Sequence, residues 1–421
     1  MPRLAQELAR SAATAGPESE LSQTLSAATR QHAGKPAAWR VLVPFPTPYL
    51  YGMERAVIET FDALRPEVTA EFLISTMAER RRRPVVLEIE SRSFPRSFFP
   101  DTRDWPMPGR PRSLRHAWDL MVALIRGSST TLRRTMQCDV LYVPTPIAVT
   151  SLPAALYSRL AGKQVIYQFH DLNPPAWLMR IWSILVSGFI HNTELGRKHA
   201  LRCYPFLKRK CHVVAPPVIQ TSRLCAPDPR VRAELEGKRN LLFVGRVHET
   251  KGIDFLLQAL GSLAGEYPDV HLQVLGGCDN EPEFHRAVAS MGLTHRVRLW
   301  GYRSDVYDFL AMAYLYVHPS PPSRFVESFG RGVVEAMSHG VPVVCFCSGA
   351  LEEIVVHEQT GLVCDEETVA SLAQNIRQFL DDPRFRWSCS DAALSRFHEM
   401  YSDDSVRARW IKFLTQTGDQ K

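Results

Sequence analysis

Short apolar runs alternate with helix-like segments along the chain. The first run, Val41 to Val43, precedes a proline-rich turn and a helical pattern from Met53 that puts four side chains on one stripe: Ala56, Val57, Thr60 and Phe61. Further strand-like runs in the first half are EFLIST, PVVLEIE, DVLYVP, QVIYQFHD and GFIHNT. Several are apolar or β-branched throughout, as expected when helices cover both faces of a parallel sheet. The alternation predicts an α/β domain.

The second half restarts the same alternation, with strand-like runs RNLLFV, HLQVLGG, VRLWGY, YLYVHPS and VPVVCF. Prolines and polar residues interrupt both periodicities over residues 218–238. We therefore predict two doubly wound α/β domains, over residues 39–217 and 239–400, joined by a linker over 218–238. Because ligands bind beyond the carboxyl ends of the strands in such sheets, two domains of this kind would form a cleft.

The two ends of the chain carry weaker patterns. The first 38 residues are rich in Ala, Ser and Gln without an apolar core, which predicts a mobile tail rather than a secretory signal or a transit peptide. Residues 401–421 are predicted to form a C-terminal helix that crosses back to the first domain. The apolar segment from Pro174 to Ile190 is too short to span a membrane and contains Arg180. It predicts a buried helix that runs into a strand.

Composition and charge narrow the class of protein. With 45% hydrophobic and 22% charged residues, the chain has the composition of a globular protein. Nine cysteines without a C-x-x-C pair favour a reducing compartment and disfavour a metal site. Residues 40–220 carry a net charge of +11 and residues 221–421 a net charge of −6. Opposite signs in the two halves support two domains with different roles.

The segment FVGRVHETKG has the composition of a phosphate-binding loop. Arg246 and Lys251 follow a strand that ends at Val244, and a helix is predicted to begin at Ile253. Two cations beside the free N–H groups of a helix N-terminus suit a doubly charged diphosphate. A solvated basic loop remains the alternative interpretation of this segment.

The segment SRFVESFGRGVVEAMSHGVPVV contains two glutamates eight positions apart. Prolines before it and Gly340 after it predict a loop to about Phe329 and then a helix that ends near His339. Glu327 therefore belongs to the loop and Glu335 to the second helical turn, so the two do not share a face. Apolar neighbours predict that Glu335 is not solvated. Gly330 and Gly332 are interpreted as leaving the first turn open to a ligand.

The ordered motifs GRxxxxKG, PS, E-x7-E, EAMxxGxPVV and EExxxxxxTGLV resemble the retaining GT-B glycosyltransferases of the large E-x7-E family, glycosyltransferase family 4 or "glycosyl transferases group 1". The similarity is close from Asn240 to about Cys364. It is weaker in the first half, where YGMERAVIETFDAL and YQFHD carry it. The resemblance implies two Rossmann-like domains facing across a cleft. It also implies transfer of a hexose, with retention, from a nucleoside diphosphate sugar to a hydroxyl acceptor in cell-surface glycan, polysaccharide or glycolipid synthesis.

The resemblance also implies roles for particular residues. The catalytic residues would be His170 and Glu327, which would contact the donor sugar, with Glu335 on the ribose and Tyr302 near the base. The donor diphosphate would lie against three residues: Gly52, Arg246 and Lys251. Backbone contacts to sugar or phosphate would come from four residues: Ser328, Phe329, Gly330 and Arg331. Three departures from the family pattern affect the expected acceptor geometry: Tyr51 and Gly349-Ala350 in place of glycine pairs, and VVAPPVI in place of an Asn-Gly turn.

No cofactor or metal is expected. Fixed cations and helix N–H groups can stabilise a leaving diphosphate without a metal, and the chain has no D-x-D motif. The donor would be a UDP- or GDP-sugar. No G-x-G-x-x-G follows the first strand of either half, which disfavours a NAD-dependent dehydrogenase. Two alternatives stay open: a nucleotide-sugar epimerase or hydrolase, and a non-catalytic nucleotide-sugar-binding protein that docks on membranes.

A basic stretch in the first half bears on partners and location. From Arg80 to Arg134 there are 13 basic and 5 acidic residues, interleaved with Phe and Trp. A solvated face is one interpretation, and contact with an anionic membrane or a lipid-linked or anionic acceptor is another. Nucleic-acid binding is the least favoured, since no recognised module accompanies the patch. We expect a cytoplasmic protein, peripheral on the inner face of the membrane.

Overall fold

The computed structural model describes residues 38–45, 52–99, 132–144, 148–170, 173–219 and 226–418. The predicted N-terminal tail, except Ala38, therefore lies outside the described residues. So do Tyr51 and residues 100–131 of the basic stretch. Residues 40–421 form one compact unit.

A seven-stranded sheet forms the first domain. Its strands are β1 (Trp39–Phe45), β2 (Val68–Ser75), β3 (Arg96–Phe99), β4 (Val140–Pro144), β5 (Gln164–Phe169), β6 (Gly188–His191) and β7 (Cys211–Val214), in the spatial order β3-β2-β1-β4-β5-β6-β7. The helices are α1 (Gly52–Ala63), α2 (Thr76–Arg80), α3 (Pro84–Ser91), α4 (Ala148–Leu160), α5 (Ala176–Leu185) and α6 (Glu194–Cys203), followed by a 3-10 turn at Pro205–Arg209. The pairing of β1 with β4 is parallel, with Val41 opposite Val140.

One predicted strand of this domain is wrong. The run PVVLEIE forms helix α3, with Pro84 at its first position. Its buried side chains are Val85, Val86 and Ile89, a spacing that places them on one face of a helix. Proline is tolerated at the first position of a helix, because an N–H group there would have no intrahelical hydrogen-bond partner. The third strand is instead the short RSFF segment at Arg96–Phe99, which has too few residues for a periodicity.

A six-stranded sheet forms the second domain. Its strands are β8 (Arg239–Val244), β9 (Val270–Leu275), β10 (Val297–Gly301), β11 (Leu315–His318), β12 (Val343–Phe346) and β13 (Gly361–Cys364), in the order β10-β9-β8-β11-β12-β13. The helices are α7 (Pro229–Leu235), α8 (Ile253–Leu263), α9 (Glu281–Ser290), α10 (Val306–Leu310), α11 (Arg331–Ser338), α12 (Leu351–Ile354), α13 (Val369–Asp381) and α14 (Pro383–Met400). Two α/β domains with parallel sheets confirm the predicted fold class.

In each sheet the strand order reverses direction at one point, and ligands bind at such points in open α/β sheets. In the second sheet the reversal lies between β8 and β11, which pair with Leu315 opposite Leu241. The loops after these two strands carry Lys251 and Glu327. The fold therefore brings together two side chains that are 76 positions apart in sequence.

The last helix, α15 (Asp403–Gly418), packs against the first sheet. The Trp410 ring lies 5.7 Å from that of Phe61 and 5.6 Å from that of Tyr142. Thr417 Oγ1 donates a hydrogen bond to Gln164 Oε1 at 3.0 Å. The preceding helix, α14, packs against α11 of the second domain. The C-terminal segment thus connects the two domains, while the residue limits of the domains stay predictions.

The segment predicted as a linker contains helix α7. Two of its side chains, Val231 and Leu235, are buried in a hydrophobic cluster of the second domain together with Ile219. The proline at position 229 begins this helix rather than interrupting one, with Asp228 accepting a hydrogen bond from the Arg230 N–H. Most of the described part of the segment therefore packs with the second sheet.

Candidate functional site

The loop after β8 is held by a single glycine. Residues Glu249–Lys251 form a 3-10 turn, and Gly252 adopts a left-handed conformation with φ of 68°. A Cβ atom at this position would lie 1.8 Å from the carbonyl oxygen of Pro319. Only glycine combines this φ with such a close approach. The contact holds the turn against the loop after β11, and Lys251 points to Glu327 as a result.

Glu327 is buried and makes three polar contacts through one oxygen. Its Oε1 lies 2.6 Å from Lys251 Nζ, 2.9 Å from His318 Nε2 and 2.8 Å from Ser320 Oγ. Burial by itself would raise the pKa of Glu327, but His318 and Lys251 hold this pKa well below its ordinary value. The side chain is therefore an ionised carboxylate at the carboxyl end of β11.

The turn at Gly349-Ala350, which stands in place of a glycine pair, fixes the backbone of Glu327. Ala350 N–H donates to the Glu327 carbonyl oxygen at 2.8 Å. Gly349 has φ of 55°, and a Cβ there would lie 2.2 Å from the same oxygen. Position 349 therefore requires glycine. Position 350 contributes only its N–H in an ordinary helical conformation, so alanine fits there.

Glu335 lies in the second turn of α11 and is buried, as predicted. Arg331 Nε donates to Glu335 Oε1 at 2.8 Å, and Arg331 Nη2 donates to Glu59 Oε2 at 2.5 Å. Burial alone would lower the pKa of Arg331, but Glu335 and Glu59 raise it above its usual value. The guanidinium is therefore charged and bridges α11 to helix α1 of the first domain.

The two glycines of this helix are required by the packing around them. A Cβ at Gly330 would lie 2.4 Å from Leu351 Cδ2, and one at Gly332 would lie 2.2 Å from the Tyr316 hydroxyl. The space beside both glycines is thus filled by the protein's own side chains. They permit close internal packing at the start of α11, and the open first turn for a ligand stays a prediction.

His170 follows β5 and lines a pocket with residues of both domains. The pocket is also lined by Asn192 and Thr193 of the first domain and by Ser328 of the second. Burial lowers the pKa of His170 to about 4, so the ring is neutral at neutral pH. Ser328 adjoins Glu327 in sequence. The structure thus brings His170 to the same pocket as the loop that carries Glu327.

The remaining predicted residues lie on separate loops and helix starts. Arg246 is exposed in the loop after β8, and Tyr302, directly after β10, is 70% exposed. Gly52 begins α1, and a Cβ there would meet no atom within 4 Å. Phe329 is buried before α11. Among the described residues, no group of three or more His, Cys, Asp or Glu side chains is placed to hold a metal ion.

Four residues of the site region had no role predicted from the sequence: Glu59, His318, Ser320 and Glu353. Glu353 accepts hydrogen bonds from the Glu194 and Leu195 N–H groups at 2.9 and 2.7 Å, at the N-terminus of helix α6. A carboxylate is favourable at a helix N-terminus. His318 had a detectable signal, since it is the polar last residue of an apolar strand. Glu59 had none, because its partner is 272 positions away.

Part of the sequence matches a family model and known proteins. A family model described as "Glycosyl transferases group 1" matches residues 227–396. An uncharacterized glycosyltransferase of Haemophilus influenzae is 26% identical over 179 residues, which are 42% of this chain and 49% of that protein. A D-inositol 3-phosphate glycosyltransferase of Arthrobacter sp. is 32% identical over 192 residues, or 43% of this chain and 44% of that protein. The chain thus spans about half the length of these relatives.

Solved structures match over most of the chain. The structure of Anabaena HepE in complex with UDP and glucose has a TM-score of 0.71 at 18% identity, and the match covers 90% of this chain and 100% of that one. Sucrose-phosphate synthase from Thermosynechococcus elongatus has a TM-score of 0.69 at 16% identity, with 91% and 100% covered. The fold of both domains is shared with these proteins. The chain therefore has the fold of these proteins, and its residues 227–396 match the family glycosyl transferases group 1.

Proposed function

We propose that the protein is a retaining glycosyltransferase that moves a hexose from a nucleoside diphosphate sugar to a hydroxyl acceptor. The observation that carries the proposal is the buried Glu327 carboxylate, which pairs with Lys251 beside a pocket that His170 and Ser328 line from the two domains. The cluster lies where the strand order reverses, which is where α/β sheets bind nucleotides. Relatives named as glycosyltransferases and a neighbour solved with UDP and glucose support it.

The donor would be a UDP- or GDP-sugar. Its diphosphate would lie against Lys251 and Arg246, with the open backbone at Gly52 across the cleft. Lys251 Nζ and His318 Nε2 already contact Oε1 of Glu327. The second carboxylate oxygen would then accept hydrogen bonds from sugar hydroxyls. Glu335, oriented by Arg331, would accept from the ribose diol, and Tyr302 would lie near the base.

Charge develops on the diphosphate as the bond to the sugar breaks. Lys251 and Arg246 would stabilise that charge, together with the backbone N–H groups at the start of α11 near Ser328 to Arg331. No metal is required by this arrangement. His170 is neutral because burial lowers its pKa to about 4. Its ring would therefore hydrogen-bond to the sugar or the acceptor without carrying charge.

The acceptor would be a hydroxyl compound of cell-surface glycan or glycolipid synthesis, lipid-linked or anionic. The first domain would take it, since that domain carries the positive charge. Membrane contact through the stretch from Arg80 to Arg134 belongs to the same proposal, although residues 100–131 lie outside the described residues. The protein would work in the cytoplasm at the inner face of the membrane.

Two measurements test the proposal. Thermal stabilisation by a panel of UDP, GDP and their sugars should identify the donor, because a ligand of the folded state raises the melting temperature. Glu335→Ala should weaken nucleotide binding, and Glu327→Ala should lower turnover more than binding. Glu399→Ala, an exposed glutamate on α14, is the matched control. Normal binding and turnover in both site variants would overturn the assignment.

Incubation with donor alone separates transfer from the other enzyme classes. A transferase releases nucleoside diphosphate slowly without acceptor and rapidly with it. Complete conversion of the donor without acceptor would identify a hydrolase or an epimerase. Nuclear magnetic resonance of the product distinguishes retention from inversion at the anomeric carbon.

A further inference from the structure

Helices α4 and α5 expose large apolar side chains to solvent. On α5, Trp177, Ile181 and Ile184 are 58%, 38% and 72% exposed, and their spacing of four and three places them on one face. On α4, Leu156 and Leu160 are four residues apart and also exposed. Single exposed apolar residues are normal, but ordered stripes on neighbouring helices are not.

Helix α5 is apolar on two opposite faces. Its inner face is buried in the first domain through four residues: Leu178, Met179, Trp182 and Leu185. A helix that packs on a sheet usually presents polar side chains on its outer face. Packing against the first sheet therefore does not explain the outer stripe. Its apolar character points to a surface that something outside the described chain covers.

The two stripes lie side by side. Strands β4, β5 and β6 are adjacent and consecutive, so their right-handed crossovers put α4 and α5 on the same face of the sheet, running parallel. The two helices pack against each other, and α5 also packs against the 3-10 turn at Pro205–Arg209. That turn adds exposed Phe206, with the Arg180 guanidinium 5.6 Å from its ring centroid. We call these six apolar residues the outer patch: Leu156, Leu160, Trp177, Ile181, Ile184 and Phe206.

Positive charge accompanies the outer patch. From Ala148 to Lys210 the chain has nine basic and two acidic residues. The exposed cations on the three elements that form the patch are Arg159, Arg180, Lys208 and Arg209. Apolar side chains between cations suit a surface that offers both hydrocarbon and negative charge. Tryptophan in particular favours the boundary between lipid and water.

We propose that the outer patch docks the first domain onto an anionic lipid bilayer. The apolar side chains enter the interfacial region, and the surrounding lysines and arginines face the negatively charged headgroups. In the part of the chain that the structure describes, no helix is long and apolar enough to cross a membrane. The proposed mode of contact is a helix pair that lies on the surface. This surface is separate in sequence from the basic stretch of residues 80–134.

Charge argues against two other occupants. A second copy of the chain would form a symmetric contact in which the same cations meet each other, and like charges repel. The first 37 residues contain four basic and three acidic side chains, so this segment supplies no excess of negative charge. A bilayer with anionic lipid matches both properties of the patch.

Docking through the outer patch also places the cleft. Trp177 lies in the first turn of α5, seven positions after His170, and both lie at the carboxyl edge of the first sheet. The patch therefore begins on the side of the domain where the pocket opens. An acceptor held in the membrane would then reach the cleft without leaving the membrane surface. This consequence rests on the proposed function, whereas the docking proposal does not depend on it.

Vesicle flotation of the full chain tests the docking. The probes are vesicles of phosphatidylcholine alone and of phosphatidylcholine with phosphatidylglycerol. We expect binding to the anionic vesicles only, weakened by added salt. The double variant Leu160→Glu and Ile184→Glu should lower the partition coefficient by at least about ten-fold, since it removes apolar contact and adds negative charge. Trp387→Glu changes an apolar residue of similar exposure on α14 in the second domain and should bind as the wild type.

Each other outcome counts against the proposal. Absence of binding to anionic vesicles, or equal binding by the double variant, overturns it. A concentration-dependent dimer that the double variant abolishes, without vesicle binding, assigns the patch to a second copy instead.

Stabilisation of the variant by the donor nucleotide shows that it is folded. This readout is independent of membranes, so failure of docking and failure of the proposed transferase are distinguishable.

Discussion

Glu59 of helix α1 accepts a hydrogen bond from Arg331 of helix α11, with 2.5 Å between Oε2 and Nη2. The pair joins the first domain to the second, and Arg331 also contacts Glu335 through Nε at 2.8 Å. Oε1 of Glu59 faces Arg55 at 3.4 Å on its own helix. The position of Glu335, the residue proposed to bind the ribose, is therefore linked to the contact between the domains. Donor affinity should depend on a residue that lies outside the second domain.

Glu59→Gln should destabilise the protein and weaken nucleotide binding. The side chain of Glu59 is 2% exposed, and its loss leaves Arg331 buried with one carboxylate fewer. Removing one partner of a buried ion pair costs about 3 kcal/mol in the free energy of unfolding. Urea titration measures the loss, and calorimetry measures nucleotide affinity.

Asp269→Asn is the matched control for this change. It breaks the pair of Asp269 with Arg239, in which the aspartate is 46% exposed, so we expect a loss below about 1 kcal/mol. Nucleotide affinity should stay unchanged in the control. Equal losses in the two variants, or unaltered affinity in Glu59→Gln, would contradict a link between the domain contact and Glu335.

How far the sequence predicts the structure depends on how local the signal is. The separation of Glu327 on a loop from Glu335 on a helix follows from nearby prolines and glycines, and the structure confirms it. The prediction of a strand at PVVLEIE is wrong because a run of seven residues of this pattern fits a strand and a helix alike. The pair of Glu59 and Arg331 leaves no pattern at all, since its members are on different domains. Local reasoning predicts elements, and tertiary contacts set their partners.

Gly252→Ala should disrupt the candidate site. The new Cβ would lie 1.8 Å from the Pro319 carbonyl oxygen at a φ of 68°, so the loops after β8 and β11 must separate. We expect a loss of about 3 kcal/mol in the free energy of unfolding and a large loss of activity, because Lys251 moves with the turn.

Gly237→Ala is the control: its φ is 80° but no atom lies within 4 Å of the new Cβ. This variant should lose only about 1 kcal/mol and keep its activity. A similar result for both glycines would exclude the close contact as the cause.

Lys251 and Glu327 should behave as a coupled pair. Lys251→Met leaves the buried Glu327 carboxylate with His318 and Ser320 only, and Glu327→Gln leaves the ammonium without its partner. Each single change leaves one charge without its partner. The double variant should therefore lose about 1 to 3 kcal/mol less in the free energy of unfolding than the sum of the two single losses. Urea titration of the four proteins measures this coupling. Activity should fall by about a hundredfold in Lys251→Met, since the cation would stabilise the leaving diphosphate. Additive effects on stability would show that the two groups act independently.

His191 and His212 form a chain of hydrogen bonds beside the pocket. His212 Nε2 lies 2.9 Å from the Leu207 carbonyl oxygen, which can only accept, so this nitrogen carries a proton. His212 Nδ1 is then the acceptor for His191 Nε2–H, at 2.9 Å. Burial, with the neighbouring His212 ring and the charge of Arg197, lowers the pKa of His191 to about 3. Both rings are therefore neutral in the folded protein at neutral pH.

Acidification should destabilise the protein through His191. Its pKa is lower in the folded state than the ordinary 6.5, so the unfolded chain binds the proton more tightly. The stabilisation is complete above about pH 6.5 and is lost as the pH falls toward 3, by about 1 kcal/mol per pH unit. His191→Gln should flatten this slope without removing it, since the pKa of His170 is also lowered, to about 4. Urea titrations between neutral and mildly acidic pH measure the slope. His295→Gln, an exposed histidine, is the control and should keep the slope of the wild type. An unchanged slope in His191→Gln would mean that this ring takes up its proton without loss of stability.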